Sequence, residues 1–459
     1  MSGSIGGDPP GAARRDVGSE ASVAELIAAL STAQLREVVS AAADRHNDVA
    51  RAVRLIAART GGGLEALRAE VDRGFRTRRF LGYRESNEWA RAARPILTEL
   101  HAVVESAPSR ELVELLQRAV AHVVKVIHHA DDSSGLIGDL ARDLLALHLK
   151  ACDAQVADPL RLAAWMIRFQ FEDQDFFEVD PVAYAGALGE AGLAAYRGAI
   201  ASHANDEDSF AARYARERLA ILDGDTDAIV ALLGGDLTSA YQFIRVAQAM
   251  AELGRDDDVL DWATRGITQT SGWQTKELYD LACSVYTKRS VPLEVLRLRR
   301  AQHERMPSLT TYTTLRTAAQ HLDVWETERD AARTALRNRD RRSYIDALVS
   351  DNDTDLAWQA AIAGPADELV GDQWLRLAKT REAQNPGDAL IVYLRVVDEI
   401  LETTDRRAYA SAVRVLREAR TVAASTSDPD AFNQHIAQLR QQHRRRPTLI
   451  AVLDKAGFR

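Results

Sequence analysis

His148 and Cys152 lie four residues apart in a run of helix-forming residues, so a ring nitrogen and a sulfur share one face of a helical turn. Both are metal-ligand types, and His122, His128 and His129 just upstream supply further candidates from a neighbouring segment. One reading is a zinc or enzyme site built on His129, His148 and Cys152. The other is a hydrogen-bonded core histidine beside a small buried thiol. Cys152 and Cys283 are the only cysteines, too few for a disulfide framework or a four-cysteine zinc site, and the ligand spacing matches no closed site. The expectation is a chain with no bound metal and no cofactor.

Other chemistry-bearing spacings fail on their own terms. His303-Glu304-Arg305-Met306-Pro307 begins like a zinc-protease helix, but Pro307 stands where the second histidine must be and would end the helix. Gly61-Gly62-Gly63-Leu64-Glu65-Ala66 fits a dinucleotide fingerprint in letters only: a helix-like stretch, 50–59, precedes it where a strand is required. Asp131-Asp132-Ser133-Ser134-Gly135 lacks the alternating ligands and distal glutamate of a calcium loop, so its side chains are expected to cap the helix that starts near Leu136. There is no phosphate-binding P-loop, nucleophile elbow or C-x-x-C, and the expectation is a non-enzymatic protein.

The best basic–aromatic cluster is Arg73, Arg76, Arg78, Arg79 and Arg84, interleaved with Phe75, Phe80 and Tyr83. Such a cluster suits phosphate contact and base stacking. A helix end with arginines paired to Glu70, Glu85 or Glu88 accounts for it equally well. Arg444-Arg445-Arg446 has the same two readings, with a solvated helix end preferred. The formal net charge of −9 opposes general nucleic-acid binding, which draws its affinity from phosphate neutralisation.

These residues must be held by helices. Ala, Leu, Arg and Glu dominate, prolines number only 12, and no sustained two-residue alternation suggests strands. Val23, Leu26, Ile27 and Leu30 share one helical face; Ser31 fits an N-cap, with Gln34 completing a capping box. Leu112 to Val123 and Ile137 to Ala151 form two strong apolar stripes, Asp158-Pro159 opens a helix, and 169–181 is expected to be a packed loop. Beyond about residue 210, helices come in pairs. The second helices are expected to begin near Asp256, Pro292, Asp323, Asp353 and Pro386, at spacings of 36, 31, 30 and 33 residues. That is close to the roughly 34-residue period of tetratricopeptide-like pairs. Leu253-Gly254-Arg255 reads as a turn between paired helices, and Asn385 to Asp388 as a turn before Ala389.

The expected fold is all-α: a disordered tail (1–21), a helical N-terminal domain (22–204), and a tetratricopeptide-like α-solenoid of helix pairs (205–459). The polar segment 202–209 marks the boundary. The N-terminus has no apolar leader and no run approaches a membrane span, so a cytoplasmic location is expected.

Several long stretches carry a family likeness: SSGLIGDLARDLLALHLKAC (133–152), DPLRLAAWMI (158–167), YAGALGEAGLAAYR (184–197), WLRLAKTREAQNPGDALIVYLRVV (374–397) and FNQHIAQLRQQHRRRPTLIAVLD (432–454). In these the chain resembles the helical portion of bacterial SWIM zinc-finger family proteins and their fingerless relatives, from about residue 22 onward. The finger itself is a C-x-C…C-x-H site, and this chain has no C-x-C, so neither its ligands nor its nucleic-acid binding carries over. The resemblance implies a helical, tetratricopeptide-like body. The leading expectation is a scaffold whose repeat surface binds a protein or peptide. The alternative is a nucleic-acid-associated accessory protein that uses Arg73, Arg76, Arg78, Arg79 and Arg84 beside a partner carrying the finger.

Overall fold

The computed structural model describes residues 23–57, 63–154, 156–202, 209–428 and 430–459. The expected tail 1–21, Gly61 and Gly62 of the glycine run, and residues 203–208 of the boundary segment lie outside the described residues. The chain is all-α: among the described residues there are 24 α-helices and no strand, only an isolated bridge between Leu81 and Ala130. No described helix is long and apolar enough to cross a membrane. Two compact units are formed, Met1–Leu232 and Leu233–Arg459.

The first unit holds α1 (Val23–Ala29), α2 (Thr32–Arg45), α3 (Asn47–Ala57), α4 (Gly63–Gly74), α5 (Tyr83–Ser106) and α6 (Arg110–Ile127). It continues with α7 (Leu136–Asp153), α8 (Pro159–Arg168), α9 (Ala185–Ser202), α10 (Phe210–Asp223) and the short α11 (Thr226–Ile229). Helix starts follow local chemistry. Ser31 and Gln34 form the expected capping box, Asp158 caps Arg161 N at 3.0 Å with Pro159 in the first helical position, and Ser109 caps Leu112 N at 3.2 Å. The stripes of α6 (Leu112, Leu116, Val120, Val123) and α7 (Ile137, Leu140, Leu144) are fully buried and form the centre of the core. Burying each such side chain stabilises by roughly 1.5–3 kcal/mol. By contrast, Leu26 and Ile27 of α1 and Val38 of α2 remain exposed.

Two local expectations are corrected. Residues 169–181 are not loop throughout: Phe169–Asp173 continues α8 as a π-helical turn. Aromatic stacking of Trp165 on Phe169 (centroids 5.3 Å apart) and bonds from the buried Gln174 amide to Phe169 O and Phe177 O hold this turn, none of it visible as periodicity. Asn385-Pro386-Gly387-Asp388 is not a turn either, because Pro386 is already the first residue of a helix.

The second unit comprises α12 (Ala240–Glu252), α13 (Asp256–Gln269), α14 (Thr275–Lys288), α15 (Pro292–Arg305), α16 (Leu309–Gln320) and α17 (Trp325–Arg339). Then follow α18 (Arg341–Ser350), α19 (Thr354–Ile362), α20 (Gly371–Arg381), α21 (Pro386–Glu402), α22 (Arg406–Ala423), α23 (Asp430–Gln442) and α24 (Pro447–Lys455). From α12 to α23 each helix packs on the next, α24 packs on α22, and α12 also reaches α14, α15 reaches α17 and α16 reaches α18. This is the stacking of helix pairs that the spacing predicts. Second helices begin at Asp256, Pro292 and Pro386 as expected, and at Trp325 and Thr354 one or two residues late.

The offset has a structural reason. Four pairs are closed by one residue in the left-handed region two positions before the second helix: Gly254 (φ 70°), Ser290 (57°), Asp323 (55°) and Asn352 (64°). In each, the next N–H donates to a carbonyl five residues back: Arg255 to Met250 at 2.9 Å, Val291 to Tyr286 at 2.9 Å, Val324 to Ala319 at 3.0 Å, and Asp353 to Leu348 at 2.9 Å. This Schellman geometry satisfies the ending helix's carbonyls and reverses the chain in two residues. The expected starts Asp323 and Asn352's neighbour Asp353 are thus turn residues. Gly224 (φ 67°), with Asp225 N donating to Ala220 O at 3.1 Å, closes α10 and α11 of the first unit the same way.

A buried ionic hub ties three helices of the second unit together. Arg333 of α17 donates to Asp351 at 2.6 Å and also pairs with Asp353, Arg316 of α16 reaches Asp351 at 2.7 Å, and the Tyr312 hydroxyl bonds the same carboxylate. Gly254 tests the turn in isolation, because no atom lies within 4 Å of a Cβ added there. Gly254→Ala should therefore lower stability by about 1–2 kcal/mol through backbone conformation alone. Chemical denaturation reads this directly, and an unchanged midpoint would show the turn to be unstrained for an L-residue.

Candidate functional site

His148 points inward from α7 and is fully buried. Gln117 of α6 donates its amide N–H to His148 Nε2 at 3.2 Å, which leaves Nδ1–H to donate to the Tyr184 hydroxyl at 2.8 Å; that hydroxyl donates onward to Leu145 O at 3.4 Å. This assignment follows from the only consistent donor order. Burial pushes the imidazole down to about 3 and the Cys152 thiol, 3.8 Å from Nε2, up to about 12. A neutral ring with both nitrogens engaged and a desolvated thiol are poor nucleophile and ligand material. His122 binds Asp72 at 2.8 Å and the His128 ring lies tilted against Phe176, centroids 5.0 Å apart. Among the described residues no group of three or more His, Cys, Asp or Glu is placed to hold a metal ion.

The remaining motif residues also have structural partners. His303 is buried, with Nε2 donating to Ala332 O at 3.0 Å and Nδ1 against Thr311 Oγ1 at 2.9 Å. Asp132 accepts from Ile137 N at 3.0 Å and Gly138 N at 2.8 Å, so it caps α7 as the acidic turn suggested. Arg446 donates to Leu401 O at 2.6 Å, while Arg444 and Arg445 are exposed.

The basic cluster divides in two. Arg84 pairs with Glu88 and Arg79 with Glu85, each at 3.0 Å, and Arg73 pairs with Glu70. Phe75 is fully buried and cannot stack on a ligand; Phe80 is 67% exposed and Tyr83 also faces solvent. The segment between Phe75 and Leu81 is pinned at both ends by these buried side chains. Leu81 N also donates to His129 O at 2.9 Å, and Asp131 N to Leu81 O at 2.8 Å. Pinning sets Arg76 and Arg78 opposite Lys125 in the last turn of α6. Together with Arg73, Thr77, Asp72 and His122 they line a cleft of about 470 Å³. Asp72 is already engaged: Arg118, bidentate at 2.6 and 2.8 Å, and His122 hold it well below the usual carboxylate range. Burial lowers His122, and the charges of Arg118 and Arg76 push the same way against Asp72.

A second candidate surface was not legible in the sequence. A groove of about 650 Å³ runs between α14, α15 and α16, lined by Val291, Pro292, Val295, Ala318 and four threonines, Thr287, Thr313, Thr314 and Thr317. Each of these hydroxyls donates to its own helix: Thr287 to Cys283 O at 2.8 Å, Thr313 to Leu309 O at 2.9 Å, Thr314 to Thr311 O at 3.0 Å and Thr317 to Thr313 O at 3.0 Å. With their hydroxyls engaged on their own helices, residues that read as polar contribute to a predominantly apolar lining. The available signal was the threonine-rich run 309–317, a poor choice for a helix that only had to be stable.

No protein-family model and no curated protein matches the chain. One similar solved structure is described as a circular tandem repeat protein with novel repeat topology and enhanced subunit contact surfaces. It is 12% identical over 95% of this chain and 92% of that one, with a TM-score of 0.14, too low to carry an argument.

Two acid-sensitive windows follow from these sites. His148 stays neutral in the fold while the unfolded chain takes a proton near pH 6.5, so its contribution is complete above that and declines as pH falls towards about 3. Asp72, depressed in the fold, contributes fully above about pH 4 and loses its contribution below it. His148→Gln should flatten the stability–pH curve between about 6.5 and 4, and Asp72→Asn only its lower limb. Denaturation at stepped pH measures both; a His148→Gln curve parallel to the parent would contradict the buried neutral imidazole.

Proposed function

We propose that the protein is a non-enzymatic helical-repeat scaffold that receives an apolar side chain of a protein or peptide partner in the groove between α14, α15 and α16. The observation that carries this reading is the apolar groove itself. Its volume lies within the range of ligand-sized pockets, and its lining is mostly apolar with few polar groups, Ser290 and His321 among them. Arg299, the one charged lining residue, is bonded to Asp280 at 2.6 Å and Gln302 at 2.9 Å, so no free charge asks for an ionic ligand. Stacked helix pairs commonly present such grooves along one face, where a short helix or extended segment docks by a few anchor residues. The resemblance to the helical body of SWIM-family proteins supports the same reading, since that body without its finger implies a surface and no reaction. The structural engagement of His148, Cys152 and His303 agrees with it.

Selection of displayed peptides on the full chain should enrich sequences with an apolar anchor. Thr317→Arg, on the exposed face of α16, should weaken the selected peptide at least about tenfold while leaving the thermal midpoint unchanged. Peptides that bind Thr317→Arg and Thr313→Arg as well as the parent would place docking elsewhere and defeat the assignment.

A further inference from the structure

We infer that the cleft between the 75–82 segment and α6 in the first unit is a binding site for a compact phosphate-bearing ligand, of the size of a diphosphate or the diphosphate end of a nucleotide. This goes beyond the peptide groove, which lies in the second unit, and the two stand or fall separately.

Arg76, Arg78 and Lys125 converge on the cleft, and among the described residues no carboxylate or carbonyl pairs with any of them. They come from positions about 50 residues apart, so their meeting is a product of the fold and not of a basic run. The neighbouring acids are spent. Asp72 is held by Arg118 and His122, and Glu70 by Arg54 at 2.9 Å and by Arg73. Three unmatched cations around one cavity repel one another, and a multiply charged anion relieves that repulsion where a single carboxylate would not. The segment carrying two of them is anchored by Phe75, Leu81 and the bridge to Ala130, so the site exists before the ligand arrives and little ordering is needed on binding.

The same facts argue for a compact ligand over a nucleic-acid strand. Arg79 and Arg84, which would extend a phosphate track, are paired to Glu85 and Glu88, and Phe75, one of the three stacking candidates, is buried. What remains is one cavity of about 470 Å³.

Calorimetric titration of the full chain with inorganic pyrophosphate, with ADP and with a roughly 15-nucleotide single strand tests the proposal, at about 50 mM and about 300 mM salt. Pyrophosphate or ADP should bind at one saturable site, more weakly in the higher salt. Lys125→Glu and Arg76→Glu should each weaken it at least about tenfold, and Arg84→Glu should leave it unchanged. ADP binding tighter than pyrophosphate identifies a nucleotide as the source; equal binding identifies the free phosphate. Arg76, Arg84 and Lys125 are all exposed, and circular dichroism confirms folding; Lys125→Gln serves if Lys125→Glu does not fold. The inference is overturned by the absence of saturable binding, by Lys125 variants that bind like the parent, or by a strand that binds tightest with Arg84→Glu as damaging as Arg76→Glu, the mark of an extended nucleic-acid interface.

Discussion

A helix that ends must find partners for its last carbonyls, and in this protein the solution also sets the architecture. The left-handed residue at Gly254, Ser290, Asp323 and Asn352 turns the chain back within two residues, with the following N–H bonded five positions back. So short a reversal leaves the second helix no choice but to lie against the first. Once paired, the two helices still expose apolar stripes, as Leu390, Tyr393, Val397 and Leu401 do on α21, and only the neighbouring helices can cover them. The array is thus a consequence of one backbone geometry repeated, with packing doing the rest. Three of the four positions accept a non-glycine residue there, and an unfavourable φ persists only because the surrounding contacts over-determine it.

Polar groups taken inside are used in two ways. The Gln117–His148–Tyr184 chain and the Arg316–Asp351–Arg333 hub are closed: each member is bonded to a residue from another segment, and the helices are fixed by that requirement. Removing one member of such a set leaves an uncompensated group in a medium of low polarity, which costs far more than the bond itself contributes. Residue types that suggest catalysis in a list therefore behave as braces. The basic cleft is open in the opposite sense, with its acids engaged elsewhere and Arg76, Arg78 and Lys125 left over among the described residues. Completeness of pairing, and not the presence of histidine, cysteine or arginine, separates structure from candidate function here.

The threonine groove shows the same principle for apolar surface. A threonine hydroxyl that bonds back to its own helix is already satisfied. Thr313 and Thr317, one turn apart, line an apolar recess where hydropathy would assign polarity. An apolar recess whose threonine hydroxyls are already satisfied can accept an apolar side chain without stranding them.

The sequence by itself determined what depends on neighbours three to five residues apart: the all-α class, the Ser31–Gln34 capping box, the helix start at Asp158-Pro159, the cap that Asp132 supplies, and the starts of second helices to within two residues. These are decided by hydrogen bonds and stripes that close inside one element, so their signal is local and periodic. Tertiary structure decided the rest. It buried Phe75 out of the basic cluster and brought Lys125 to Arg76. It made a π-turn of Phe169–Asp173 and left the stripes of α1 and α2 open to solvent. The burial of Phe75 and the meeting of Lys125 with Arg76 depend on surfaces supplied from other parts of the chain. A side chain's partner at such separation leaves no periodic trace, because its energy is realised only when two helices meet.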